Sequence, residues 1–501
     1  MRRIIPLFLV IILLCSCGQA PELPEKVNVK KVLNVALEHS PVSLCPVETM
    51  DKVSLMTAAP LYHRLFTYNE QGALVPDALE SWDLIDELNY KFTLKRNLVF
   101  HNGDQLTAKD VIYTIKRVAE SPMWGSLLYG VNIDELKAED EYTILLTTLK
   151  PMPDLTTSLA TVATSILNHN LGENYNYTQN PIGTGPYKLK EWRPGQFVSY
   201  DVNPNLRNQV KNDGIIYWNI PEQEPRIKAL EEDNIQIITS VDTSQTLRPL
   251  QNGRWIFDLP LHFIAVGANL SKEPMNDLTI PRALRLLTDP EEVASFMGGK
   301  AHGGVIPAGA SFSESNPATS FHNREQGKAM LTSAGYDDLA LTLAISKGDK
   351  AMEDLAKVLE QQWLGYGFTL TINRYEDQAY FQALREGRDH LYLHNVQMLS
   401  PDPADMLQLH FQTDLSGVAA NYSFLSDAGV DNMLESSHVI LNPEIRLPSY
   451  SALQQRLDEL CPWLFIWEPS DILGVSSRIS FPDTKNPMLH PERIVVEDIK
   501  E

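Results

Sequence analysis

The clearest pattern along the chain is an alternation in which the apolar positions Tyr90, Phe92 and Leu94 are separated by Lys91, Thr93 and Lys95. A period of two is that of a strand with one buried face. Val99-Phe100-His101 continues extended, and Asn102-Gly103 marks a tight turn. The period then changes. Thr107, with Asp110 three residues on, is placed to cap a helix whose apolar stripe is Val111, Ile115, Val118 and Ala119. Farther along, Lys328 to Ala334 predicts a helix stopped by Gly335, followed by a strand from Leu339 to Ile345. Leu355, Val358, Leu359 and Trp363 predict another helix ending near Gly365 and Gly367, and Phe368, Leu370 and Ile372 a strand after it. Strands alternating with helices predict an α/β protein with partly parallel sheets.

The first residues break this pattern. Ile4 to Leu14 is an apolar run of 11 residues behind Arg2 and Arg3. It is shorter than the roughly 20 residues a bilayer requires and suits the hydrophobic region of a signal peptide, residues 1–16. Leu14-Cys15-Ser16-Cys17 resembles the lipobox of bacterial lipoproteins. That resemblance implies a lipidated Cys17, carrying palmitate-type acyl chains, as the mature N-terminus. Cys15 fits less well, because bulky Leu14 would then stand next to the cleavage point; an ordinary cleaved signal is the alternative. Residues 17–31, rich in Pro, Glu and Lys, read as the lipidated tether.

At roughly 100–200 residues per domain, the 501 residues predict about two to four domains. A net charge of −22 excludes nucleic acid as a partner and leaves no polybasic patch for a membrane surface. Beyond the signal, Cys45 and Cys461 remain, too few for a disulfide framework and without zinc-like spacing. They either pair or stay as two buried thiols.

Catalytic chemistry finds no support. There is no Gly-x-Ser-x-Gly elbow and no His-Glu-x-x-His helix, and the histidines are scattered. Gly183 and Gly185 lack the third glycine of a dinucleotide fingerprint, since Lys188 stands in its place; they read as a tight turn where the chain passes between domains. No catalytic residue, metal ligand or cofactor is expected.

Several blocks carry a resemblance. Trp82-Asp83, Tyr90 to Lys95 and Phe100 to Val111 are similar to the signature of extracellular solute-binding proteins, family 5, as is Asn180 to Trp192. Weaker echoes follow at Pro281 to Leu284 with Asp289, at Gly304 to Gly309, at Gly327 to Tyr336, at Pro401-Asp402-Pro403, at Asn421-Tyr422-Ser423 and at Cys461-Pro462. The family includes oligopeptide-, dipeptide- and nickel-binding receptors of ABC importers. The resemblance implies a periplasmic-binding-protein-like α/β fold of type II, cluster C-like, with two lobes, three domains and a ligand cleft at the hinge. By analogy the first lobe comprises 26–52, 178–265 and 481–501, the extra domain 53–177, and the second lobe 266–480. Ligand shifts an open–closed equilibrium, and the closed form is what the transporter recognises.

The same resemblance implies a monomeric, periplasmic-side lipoprotein, not an enzyme, with three partners: a peptide or peptide-like ligand, an ABC permease with its ATPase, and the membrane through its lipid. Family peptide receptors anchor the ligand's amino terminus with an aspartate before the Asp-Pro motif. Here Gln397-Met398-Leu399-Ser400 precedes Pro401-Asp402-Pro403, so Leu399 stands where that aspartate is expected. Glu38, Glu376 and Asp377 are candidate substitutes for the amine, and Lys347 and Arg374 for a carboxylate. Tyr375 could line a side-chain pocket. The Glu38-His39-Ser40 loop and Gln397 to Ser400 are expected as cleft walls. The missing aspartate keeps other readings open: a metal chelate, a glycan or murein fragment on the same scaffold, a signalling or chaperone-like binding module, or a hydrolase.

Overall fold

The computed structural model describes residues 31–69, 72–241, 248–258, 261–313, 321–336, 338–481 and 490–497. The signal segment, Cys17 and the tether before Lys31 lie outside them. Two large sheets organise the described chain. The first runs, in spatial order, Gly253–Asp258, Asp471–Ser476, Ile237–Ile238, Leu33–Leu37, Gly214–Asn219, Phe197–Val202 and Tyr187–Arg193. Leu33–Leu37 is parallel to both of its neighbours, and the remaining pairs are antiparallel. The second runs Lys300–His302, Trp463–Glu468, His262–Ala268, Leu391–Gln397, Leu339–Ser346 and Phe368–Tyr375, parallel only among the last three.

Alternation decides which side of the first sheet each strand residue packs on. Ala36 joins Trp218, Ile227, Leu230 and Ile238 in a small core that takes in the helix Gln223–Glu231. Leu33, Val35 and Leu37 belong instead to a core that continues without a break into Phe92, Ile144 and Leu146. Those residues come from a four-stranded sheet of Leu79–Leu84, Asn89–Leu94, Thr143–Thr147 and Lys137–Ala138. The four-stranded sheet therefore shares one hydrophobic core with the first large sheet. The second sheet has its own core, in which Leu284, Leu355, Trp363 and Tyr450 pack from flanking helices.

The local patterns appear in the structure. Tyr90, Phe92 and Leu94 are buried and their alternate neighbours are not. Asn102-Gly103 turns with Gly103 at φ 97°, and Phe100 N–H donates to Asp104 O at 2.8 Å. The helix Ala108–Ala119 opens with a capping box in which Thr107 N–H donates to the Asp110 carboxylate at 2.8 Å. The helix stopped by Gly335 begins earlier than expected, at Arg324, because Asn323 caps it through Gln326 N–H. Lys350–Trp363 and Phe368–Tyr375 form the predicted helix and strand.

The crossings between sheets lie away from the expected boundaries. The chain leaves the first sheet after Asp258 and enters the second at His262, before position 266. It returns between Glu468 and Asp471, so Asp471–Ser476 belongs to the first sheet and not to a second lobe reaching residue 480. Both strands flanking the return are apolar and buried, so hydrophobicity alone carries no signal of the change of sheet.

Gly183 and Gly185 are required for close approach: a Cβ on Gly183 would meet Leu61 O at 2.0 Å, and Gly185 N–H donates to the same oxygen at 2.9 Å. Cys45 and Cys461 are both free and buried, one in the core of each lobe.

Candidate functional site

The strand Leu391–Gln397 lies inside the second sheet, and beyond its carboxyl end the chain turns toward the first lobe. Met398 N–H is held by Leu261 O at 2.8 Å, beside the outgoing crossing. Ser400 Oγ then accepts from Asp402 N–H at 3.1 Å, and Asp402 Oδ1 accepts from Ala404 N–H at 3.0 Å. These two short-range bonds turn the chain into the helix Ala404–Phe411. A crevice beyond the carboxyl end of a strand is a common place for a ligand in open α/β sheets. A cavity of about 330 Å³ lies there. Gln397 to Ser400, Asp402, Asp405, Met406 and His410 line it from the second lobe, facing Met50, Ser126 and Tyr129 of the first lobe and extra domain.

The electrostatics of the cavity are uneven. The side chains of Asp402 and Arg446 are 4% and 3% exposed and bond bidentately at 2.7 and 2.8 Å. Burial works against the charge on Arg446, but hydrogen bonds and attraction from Asp402 outweigh it and hold the guanidinium well above its usual range. Tyr450 accepts from Arg446 at 2.6 Å, which completes the pair. Asp154, from the extra domain, is 2% exposed, and its Oδ1 has no hydrogen-bond partner. Burial, then repulsion from Asp405 and Asp402, pushes this carboxyl up to about 8. His410 donates from Nδ1 to Met406 O at 2.8 Å, since a carbonyl can only accept. Burial holds His410 down at about 4, and His394, whose ring centroid is 5.6 Å away, at about 3. Both imidazoles are neutral at physiological pH.

Two lobes joined by short crossings, with a cavity between them, form the frame in which comparison with known proteins becomes decisive. The profile of bacterial extracellular solute-binding proteins, family 5 (middle), matches residues 73–417. The chain belongs to this family. It is 24% identical over 427 residues to the oligopeptide-binding protein AppA of Bacillus subtilis, covering 78% of this chain and 77% of that protein. It is 23% identical over 479 residues to the probable D,D-dipeptide-binding periplasmic protein DdpA of Escherichia coli, covering 92% of each. The structure of HbpA2 from Haemophilus parasuis shares the fold, with a TM-score of 0.83, 20% identity, and coverage of 93% of this chain and 100% of that one. Family 5 proteins bind solutes for transport, and the relatives are extracellular or periplasmic.

Within this family frame the two expected cleft walls part company. Gln397, Met398, Leu399 and Ser400 line the cavity, and Leu399 also packs against the core of the first lobe. Glu38, His39 and Ser40 do not line it. Glu38 accepts from Thr239 and Ser240 hydroxyls at 2.8 and 2.6 Å; burial raises its pKa, but these bonds prevail and hold it below the usual carboxylate value. His39 lies 3.4 Å from Asp51, and Ser40 accepts from Gly195 N–H at 2.9 Å.

The basic candidates are also engaged within their own lobe. Lys347 pairs with Glu376, and Arg374 bonds Glu353 through Nε and Nη2. Tyr375 donates to Asp389 at 2.9 Å, and Asp377 opens the helix Asp377–Arg385. None of Lys347, Arg374, Tyr375 or Glu376 lines this cavity. Conversely, Asp405, Asp154 and Tyr129 were not anticipated. Asp405 carries a weak signal, two residues after the Asp-Pro motif on the first turn of a helix; Asp154 carries none.

Proposed function

We propose that this chain is the lipid-anchored substrate-binding component of an ABC importer, capturing oligopeptides or peptide-like compounds and delivering them to a membrane permease and its ATPase. One observation supports it most: a cavity of about 330 Å³ beyond the carboxyl end of the strand Leu391–Gln397, between lobes joined by two short crossings, in a family 5 chain. This volume falls at the lower end of small-ligand sites, which favours short ligands over long ones. Binding across both walls ties closure to occupancy, because only the closed state makes both sets of contacts. Cys17 is the proposed lipid attachment point, and the protein acts as a monomer. Native mass spectrometry of the protein purified without refolding, then thermal-shift titration with what it carries, tests the reading. Short peptides that co-purify and raise the Tm are expected; failure of every peptide pool to stabilise the protein would remove the peptide assignment. Movement of a Cys17→Ala variant from membrane to soluble fractions is the expected sign of the anchor.

A second reading is a non-peptide ligand on the same scaffold. The leucine at position 399 and the engagement of Lys347 and Arg374 in their own ion pairs favour it, since neither a peptide ammonium nor its carboxylate finds the expected partner. A single non-peptide mass in the same spectrum would select it.

A further inference from the structure

We propose that the cavity is a subsite for an uncharged apolar group of the ligand, an aliphatic, thioether or aromatic side chain, selected for its apolarity and not for one shape. The inference deepens the binding-protein reading above and rests on it, but it does not require the ligand to be a peptide.

Apolar side chains reach the cavity from both walls. Met398, Leu399, Met406, Leu409 and Leu415 stand on one side, and Met50 and Tyr129 on the other. Met50, Tyr129 and Leu409 are 44%, 37% and 43% exposed, large apolar side chains left to water where a ligand can cover them. Removing such surface from water is what draws an apolar group in. Met50, Met398 and Met406 are thioethers, unbranched and polarisable, and they repack around groups of different outline. The outline of the ligand group is therefore weakly specified, and its polarity strongly.

The polar residues at the same wall are mostly engaged within the protein. Asp402 is held by Arg446, Ser400 Oγ accepts from Asp402 N–H, and His410 Nδ1 donates to Met406 O. Gln397 Nε2 donates to Met398 O at 3.1 Å, and Gln408 Nε2 to Gln412 Oε1 at 2.6 Å. Asp405, 41% exposed, stays hydrated beside His438. A polar group pressed against this wall would lose its water and find few partners. Leu399 adds a link to closure. Its neighbour Met398 is buried in the core of the second sheet, whereas Leu399 packs against the core that holds the first. Two consecutive residues thus answer to different lobes. An apolar group seated on both joins the two cores through contacts that only the closed state completes.

Tri-leucine and tri-asparagine, nearly equal in shape, can be titrated calorimetrically into the purified protein at several temperatures, with tri-methionine as a different outline. Tri-leucine is expected to bind at least about tenfold tighter than tri-asparagine, with a negative heat-capacity change, and tri-methionine to bind nearly as well as tri-leucine. Leu409→Asn and Met50→Gln each alter an exposed side chain, so the packed cores stay intact. Each should weaken tri-leucine severalfold, and the double variant should also show a smaller heat-capacity change. Tri-asparagine binding as tightly as tri-leucine, or tri-leucine untouched by the double variant, would overturn the subsite while leaving the peptide receptor standing. Cyclohexanol and myo-inositol, an apolar and a polar six-membered ring, separate the two failures by saturation-transfer NMR. A signal from cyclohexanol alone, with no tripeptide bound, would remove the peptide reading and keep the subsite. Equal signals from the two rings, or none from either, would overturn the subsite.

Discussion

On the second-lobe side of the cavity, Asp402 is buried with a guanidinium locked onto both of its oxygens. At the start of the short helix Leu155–Ser158, Asp154 is buried as deeply, with one oxygen unpartnered and two other carboxylates acting on it. The same side chain is thus made tolerable in two ways. Arg446 compensates the lost solvation of Asp402, whereas burial and the neighbouring carboxylates outweigh what opposes them at Asp154 and push its carboxyl up to about 8. The first arrangement is structural and independent of ligand. The second leaves a carboxyl whose charge state depends on its surroundings.

The contrast is broken most severely at Arg446. Arg446→Met strands the Asp402 carboxylate in the core, and a loss of about 3–5 kcal/mol is expected in urea unfolding. Adding Asp402→Asn should restore much of it, because the asparagine keeps Oδ1 for Ala404 N–H and no longer carries a charge. A single variant as stable as the parent would show that the pair is not what holds this helix start.

The next effect is a pH dependence with a defined sign. Asp154 has a folded value of about 8, above the roughly 4 of an unfolded aspartate, so the folded state binds its proton more tightly. Its contribution is fully present below about 4 and is lost as pH rises through about 8. Asp154→Asn should flatten that window, becoming more stable than the parent on its alkaline side by on the order of a few kcal/mol. Parallel stability–pH curves for the two proteins would contradict a protonated Asp154.

Much of the scaffold was legible because local chemistry decides it. Tyr90-Phe92-Leu94 alternates, the Thr107–Asp110 box caps its helix, and Gly335 ends another in the left-handed conformation. The position of the cavity was legible in part, since Gln397 to Ser400 adjoin a recognisable Asp-Pro turn. What stayed hidden depends on distant partners. Nothing adjacent in sequence tells that Arg374 meets Glu353, that Glu38 is held by Thr239 and Ser240, or that Asp154 is buried at the start of its short helix. The crossing at Glu468 was hidden for a related reason: a buried strand looks alike whichever sheet completes its hydrogen bonds.

The smallest expected effect sharpens the comparison most, because it separates burial from charge as the cause of the Asp154 proton. Asp405 is the largest electrostatic contributor after burial, and its exposed side chain can be changed without opening the core. Asp405→Asn should therefore leave midpoint stability near neutral pH almost unchanged. The alkaline limb of the stability–pH curve should move to lower pH than in the parent by roughly one unit or less. Asp402 cannot serve for this test, since removing its charge also releases Arg446. If the limb moves, Asp405 and Asp154 communicate through charge. If it stays while Asp154→Asn still abolishes it, burial alone holds the proton.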